Sequence, residues 1–180
     1  NITQGTDKGA CTAVVSYAAP TVTDNCPAVG TPTCTPASGA IFPKGVTTVT
    51  CNVTDASSNS ASCSFTVTVN DTQPPQIACP ANISVVSNVC VTNPYTPPVA
   101  TDNCPGATVV CVPPPSFCFP VGTTTVTCTA SDTATPSPNT SQCSFTVTIV
   151  PCTITCPANL TIPNDLNQCG AVATFAPTTT

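Results

Sequence analysis

The sequence predicts an all-β chain: a tandem row of small β-sandwich repeats, stapled by disulfides and arranged as a rod. Three observations carry that prediction. First, five cysteines return in order: Cys11, Cys26, Cys34, Cys51 and Cys63 recur as Cys90, Cys104, Cys111, Cys128 and Cys143, at offsets of 79, 78, 77, 77 and 80. Cys79 and Cys90 return again as Cys156 and Cys169. Second, the intervening phrases repeat: PTVTDNCP at 20 answers PVATDNCP at 98, CSFTVT stands at 63 and at 143, and CPANI at 79 answers CPANL at 156. A fixed period with fixed punctuation is the signature of a repeat architecture. Third, Val, Ile and Thr dominate, Pro is scattered through every segment, and helix formers other than Ala are scarce, so no long helix has a place to sit.

The strands follow from apolar alternation. In 124–131, Val126, Cys128 and Ala130 share one face and Thr125, Thr127 and Thr129 the other; in 144–150, Phe145, Val147 and Ile149 oppose Ser144, Thr146 and Thr148. Two such runs around a Ser/Pro/Asn-rich loop predict a hairpin with an apolar inner face. The same reading applies to 48–54 with 64–69. Shorter strands are expected at 11–17, 83–86, 90–95 and 108–112. Several short strands in about 77 residues describe an immunoglobulin-like sandwich. A domain of that size has a small core, which disulfides offset at roughly 2 to 4 kcal/mol each. The expected organisation is a first repeat over 1–72 lacking its first Cys-Pro, a Pro-rich linker over 73–76, a complete repeat over 77–150, and over 151–180 a short linker with the start of a third. Pro-bearing joints imply an extended, semi-rigid connection between modules on the order of 35 Å long.

Composition narrows the function. Fifteen cysteines in 180 residues point to an oxidising, extracellular setting. Two Lys and no Arg cannot neutralise a phosphate backbone, which argues against nucleic acid and anionic membrane as partners. No apolar run approaches the roughly 20 residues needed to span a bilayer. With no His, Glu or Arg there is no tuned base for nucleophilic or general acid-base chemistry, so no catalytic residue is assigned and the chain is read as no enzyme. The outward Thr rows are read as solvent-facing strand positions.

The phrases CPANI, P-x-x-TDNCP, the Phe-Pro run ending in Val-Thr-Cys (42–51 and 119–128) and CSFTVT together resemble the HYR (hyalin repeat) domain. The resemblance spans both long modules and the opening of the third. It implies an immunoglobulin-like extracellular module, often in tandem, associated with adhesion and matrix assembly and with no enzymatic activity. Cys118, Cys152 and the Pro-rich insert 133–140 depart from that pattern.

Spacing alone does not determine cysteine connectivity. The expected pairs are Cys90 with Cys104, Cys111 with Cys128, Cys79 with Cys143 and, by repetition, Cys11 with Cys26 and Cys34 with Cys51. Cys63, Cys156 and Cys169 are then expected to find partners outside these residues. The remainder pairs Cys118 with Cys152 as a clamp between modules two and three, with two differently wired local bonds as the alternative.

Asp24-Asn25, Asp102-Asn103 and Asp71 raise calcium as a cofactor, since hard cations take oxygen ligands. Against it, the second linker has no Asp, the chain has no Glu, and seven Asp are spread over its whole length. Asx turns account for the same residues, so no cofactor and no metal is the expectation. Six sequons, at Asn1, Asn52, Asn70, Asn82, Asn139 and Asn159, offer N-glycan acceptors, and 133–141 is a candidate O-glycan stretch. The functional expectation is a structural, non-catalytic segment of an extracellular repeat protein building a surface array, fibre or filament. Its partners would be neighbouring copies or continuing repeats, with glycans as further partners. The rival is an adhesin or stalk that recognises glycan or protein through loops or further domains. Scarce aromatics and absent Arg favour structure over recognition.

Overall fold

The computed structural model describes residues 1–25, 30–154 and 173. Within them, the first repeat contributes β1 (Ile2–Gly5), β2 (Thr12–Val15), β3 (Thr33–Thr35), β4 (Ala40–Pro43), β5 (Gly45–Thr54) and β6 (Ser60–Asn70). The second contributes β7 (Gln76–Ile77), β8 (Ile83–Val86), β9 (Ala100–Thr101), β10 (Thr108–Val112), β11 (Gly122–Ser131) and β12 (Thr140–Val150). No helix among the described residues is long and apolar enough to cross a membrane.

The two repeats share one plan. A four-stranded sheet runs β1-β6-β5-β3 in the first and β8-β12-β11-β10 in the second, and both hairpins are built from the long alternating runs. The outermost strand joins in parallel, with Ile2 opposite Val67 and Ile83 opposite Val147. Facing this sheet is a thinner layer, the β2-β4 pair in the first repeat. In the second repeat that layer shrinks to a single bridge between Val91 and Phe119.

Each inner face is buried as its alternation requires. Val126, Cys128 and Ala130 on β11 and Val147 on β12 are fully enclosed, with Ile149 and Phe145 nearly so. Phe119 closes the core from the opposite layer, and Tyr95 stands edge-on to both Phe145 (centroids 5.0 Å apart) and Phe119 (6.1 Å). The first repeat packs Ala13, Val15 and Phe42 against Val49, Cys51, Val67 and Val69. The tyrosines repeat as well: the Tyr95 hydroxyl donates to Pro113 O at 2.6 Å and the Tyr17 hydroxyl to Pro36 O.

Two expected strands differ. The run 90–95 forms only the Val91 bridge, because Asn93 takes a left-handed φ of 54° just before Pro94, which breaks an extended ladder. The run 11–17 is ordered as strand only over Thr12–Val15; Tyr17 N donates to the Ser38 hydroxyl at 2.8 Å rather than to a neighbouring strand. The third repeat's opening, with Cys156, Asn159 and Cys169, and Cys26 in the first repeat, lie outside the described residues.

Removing a fully buried aromatic should cost about 3–5 kcal/mol. Phe119→Ala is expected to lower the urea midpoint of the second repeat accordingly, whereas Val110→Thr, at an outward position 65% exposed, should change stability by less than about 0.5 kcal/mol. Urea unfolding of the two variants checks both.

Candidate functional site

The segment that joins the repeats is hydrogen-bonded to both of them. As β6 ends, Asn70 O accepts Thr6 N at 2.9 Å, and Asp71 turns inward to 5% exposure. Gly5 lets the linker approach, since a Cβ there would sit 2.8 Å from the Thr72 hydroxyl. Gln73 then grips the 6–9 loop of the first repeat: its Oε1 accepts Gly9 N at 2.8 Å, and its Nε2 donates to Asp7 O at 2.9 Å and to the Thr6 hydroxyl at 3.0 Å. Pro75 is buried, its carbonyl accepting from the Ser141 hydroxyl, and β7 follows at once in antiparallel pairing with β9. The linker 70–76, expected to be extended and semi-rigid, is held by hydrogen bonds from both repeats.

The second repeat reaches back with two amides. Asn103 Nδ2 donates to Ala10 O at 2.9 Å and lies 3.4 Å from both the Thr6 hydroxyl and Asp71 Oδ1. Asn139 Nδ2 donates to Asp71 O at 3.2 Å, Gln73 O at 3.4 Å and Asp132 Oδ2 at 2.8 Å. Lys44 of the first repeat spans the same joint, 3.3 Å from the Thr133 hydroxyl and 3.8 Å from Asp71 Oδ2.

Beside these bonds runs a covalent one, Cys11 to Cys104, with Cα atoms 4.7 Å apart. It replaces two expected pairs, Cys11 with Cys26 and Cys90 with Cys104. Cys90 bonds Cys118 instead, the two flanking the bridge in which Val91 and Phe119 exchange both backbone hydrogen bonds. The clamp between Cys118 and Cys152 is thereby corrected as well: Cys152 is exposed and unpaired among the described residues, its N–H donated to Asn88 Oδ1. The reason lies in one position. Where the second repeat has Cys118, next to Phe119, the first has Ile41, next to Phe42. Cys11 has no partner across its own sheet and reaches the next repeat.

The remaining pairs are those named from the sequence. Cys34–Cys51 and Cys111–Cys128 are direct cross-strand partners on β3/β5 and β10/β11, and Cys79–Cys143 ties the entry of the second repeat to β12. Cys63 sits opposite Cys51, as Cys143 sits opposite Cys128, and is exposed and unpaired among the described residues.

The acidic residues behave in two ways. Of the expected Asx turns, Asp102 Oδ1 accepts Cys104 N at 2.9 Å and Asp71 Oδ1 accepts Gln73 N at 3.3 Å; Asp55 and Asp132, which the sequence did not single out, each accept two backbone N–H groups and an Asn side chain. Burial opposes ionisation of Asp132, but the bonds from Ala134 N and Asn139, with Lys44 nearby, hold its carboxyl below the ordinary value of 3.8. Yet the fold also gathers acids that the sequence leaves far apart. Oxygens of Asp71 and Asp102 and the sulfur of Cys104 lie within 4.8 Å of one another. Three carboxylates do not converge there; two do, with Asn103. Asp24 is placed elsewhere, along the 22–25 segment beside Asp55 and Asn59.

The sequons divide by what their amides are doing. Asn1 and Asn82 occupy equivalent places, each offering Oδ1 to a backbone N–H of the last strand, Thr66 at 3.2 Å and Thr146 at 2.9 Å, with both side chains exposed. Asn52 is exposed and Asn70 half-buried. Asn139 donates its Nδ2, the atom a glycan would occupy, to three acceptors in the joint.

The HYR domain model matches residues 1–69 and 70–149. Hyalin of Strongylocentrotus purpuratus is 35% identical over an alignment of 189 positions that covers 97% of this chain and 16% of that protein. Hyalin of Lytechinus variegatus is 35% identical over 157 residues, covering 83% of this chain and 29% of that protein. The chain thus spans less than a third of the length of either relative. Among solved structures, human CDH23 EC21-23 covers 63% of this chain at 19% identity and a TM-score of 0.34, with 48% of that chain covered. Human Protocadherin-24 EC1-2 covers 82% at 13% identity and 0.37, with 93% of that chain covered. Likenesses at those scores carry no argument.

Two outcomes are expected. In a host that attaches N-glycans, glycopeptide mass spectrometry should find Asn82 occupied and Asn139 bare. A carboxyl with a depressed folded pKa contributes stability above its unfolded pKa and loses it as pH falls through the folded value. The Asp132 carboxyl should therefore titrate below 3.8 by NMR, and Asn139→Ala should raise that midpoint.

Proposed function

The chain belongs to the HYR domain family, and from that premise we propose that it is a structural, non-catalytic segment of an extracellular repeat protein, built to transmit a fixed geometry from one module to the next. The observation that carries this reading is the covalent tie between Cys11 and Cys104, set in a joint with hydrogen bonds from both repeats. A module that only had to display a binding loop would not need its neighbour locked in place. Five disulfides among the described residues support an oxidising, extracellular setting. Continuing repeats or further copies are the natural partners, and surface arrays, fibres and filaments are the assemblies such a stiffened unit serves. The joint is occupied by residues that hold it shut rather than by an open, aromatic recognition surface, which ranks an adhesin reading second.

The test is small-angle X-ray scattering on the oxidised chain and on the Cys11→Ser, Cys104→Ser pair. The native chain should scatter as a single elongated body. The double variant should show a broadened distribution of maximum dimension, while urea unfolding of each repeat stays close to native. Unchanged scattering, or a non-reduced peptide map that links Cys11 elsewhere, would sink the proposal.

A further inference from the structure

The two repeats differ at the end where each hands the chain on. In the first repeat that end is the joint described above, and its bonds rest on particular groups: the backbone of Asp7, Gly9 and Ala10 after β1, Asp71 after β6, and Lys44 before β5. The strand registers match one repeat to the other. Gly5 pairs with Asn70 as Val86 pairs with Val150, and Gly45 with Val69 as Gly122 with Ile149. On that match, the turn DKGA between Thr6 and Cys11 shortens to Asn88-Val89 between Ser87 and Cys90, Lys44 becomes Val121, Asn70 becomes Val150 and Asp71 becomes Pro151. The polar grip of the first joint is therefore not repeated: the turn that received Gln73 and Asn103 is two residues shorter, and both the cation and the buried acid are gone.

In their place stands an apolar rim. Val86 is 69% exposed, Val89 70%, Val121 46% and Val150 39%. They lie together. Val86 is opposite Val150, Val121 precedes Gly122, which faces Ile149, and Ser87 N donates to Val150 O at 2.9 Å, drawing the turn that carries Val89 to the same strand end. No Asp or Lys occurs in 86–90, 117–122 or 150–154. The chain leaves across this rim, with Cys152 N donating to Asn88 Oδ1 at 2.8 Å and Ile154 beyond it 90% exposed. We infer that the rim is the seat of the third module, which the phrase CPANL opens at 156, so that the second joint is apolar where the first is polar.

Three observations select that occupant. The matching end of the first repeat is seated against its own successor, as Cys11–Cys104 and the bonds of Gln73 and Asn103 demonstrate. Residues 151–180 contain no Lys and a single Asp, so they bring no counterpart of the Lys44–Asp71 pair to an uncharged rim. Four valines expose on the order of a few hundred Å², short of the about 800 Å² that each free partner commits to a standard interface. A tethered neighbour, held at high effective concentration, needs no more. The inference rests on reading the chain as a structural array and adds that its joints are of unlike chemistry.

Hydroxyl-radical footprinting of the oxidised full-length protein, read residue by residue by mass spectrometry, tests it. Val110 and Val112, each 65% exposed on the outer face of β10, are the reference. Val86 and Val89 are expected to be oxidised several-fold more slowly than these two, at a rate independent of protein concentration. Val121→Lys, which gives the rim the first repeat's residue, should return both to the reference rate, because it leaves a charge without a partner in the contact. The urea midpoint of the second repeat should stay native in that variant. Val89→Asp, at the most exposed of the four positions and read at Val86, repeats the test should Val121→Lys disturb the repeat itself. Oxidation of Val86 and Val89 as fast as Val110 in the native protein would overturn the inference. Protection that appears only at high concentration, the mark of a second copy, would do so too, as would protection that survives both substitutions. Scattering from the Cys11→Ser, Cys104→Ser pair reads the first joint alone, so this inference can fail while the structural reading stands.

Discussion

Each of the two sandwiches closes over a cluster of seven or eight buried residues, and a core that small does not on its own hold two layers of β-strand together. Most of the covalent structure answers that constraint. The bonds on β3/β5 and β10/β11 pin the free outer strand of each large sheet to its neighbour, and Cys79–Cys143 pins the entry segment of the second repeat to its last strand. Aromatics do the rest sparingly. One phenylalanine from the thin layer, Phe42 or Phe119, fills the centre of each core, and one tyrosine closes its end while sending its hydroxyl to a backbone carbonyl.

The joint extends the same economy to the space between repeats. The contact described between the sandwiches is polar, and every bond in it is short-range. Gln73 fastens the linker to the repeat behind, Asn139 and Asn103 fasten it to the repeat ahead, and a disulfide holds the two loops together. Where such a joint does enclose an acceptor, that acceptor needs a donor. Asp71 Oδ2, Asp102 Oδ2 and Asn103 Oδ1 are enclosed without one among the described residues.

Much of this was legible in the residues. Alternation over 124–131 and 144–150 identified the buried faces correctly, because period-two patterning in a half-buried strand is a local property. Cys34–Cys51 and Cys111–Cys128 each join directly opposed residues of neighbouring strands, so the pair expected in one repeat holds in the other. The short strands β1, β3, β4, β7 and β9 were not seen; each is two to four residues long and owes its conformation to the strand beside it. The Cys11–Cys104 bond, 93 residues in span, depends on how one sandwich meets the next, which no local pattern encodes. One signal was nonetheless present. The extra Cys118 stands where the first repeat has Ile41, and that single difference frees Cys11 from its own module.

The same bond redirects how tension would run along the chain. A pull entering at the first strand passes at Cys11 directly to Cys104 and skips everything between, including the whole β5-β6 hairpin and the linker. From Cys104 it meets Cys111 and passes to Cys128, skipping a second stretch. The backbone left to pay out is 1–11, 104–111 and the run from Cys128 onward, so the pair of modules has far less slack while oxidised than when these sulfurs are reduced. Stretchability in this molecule is thus set by a chemical state as well as by its sheets.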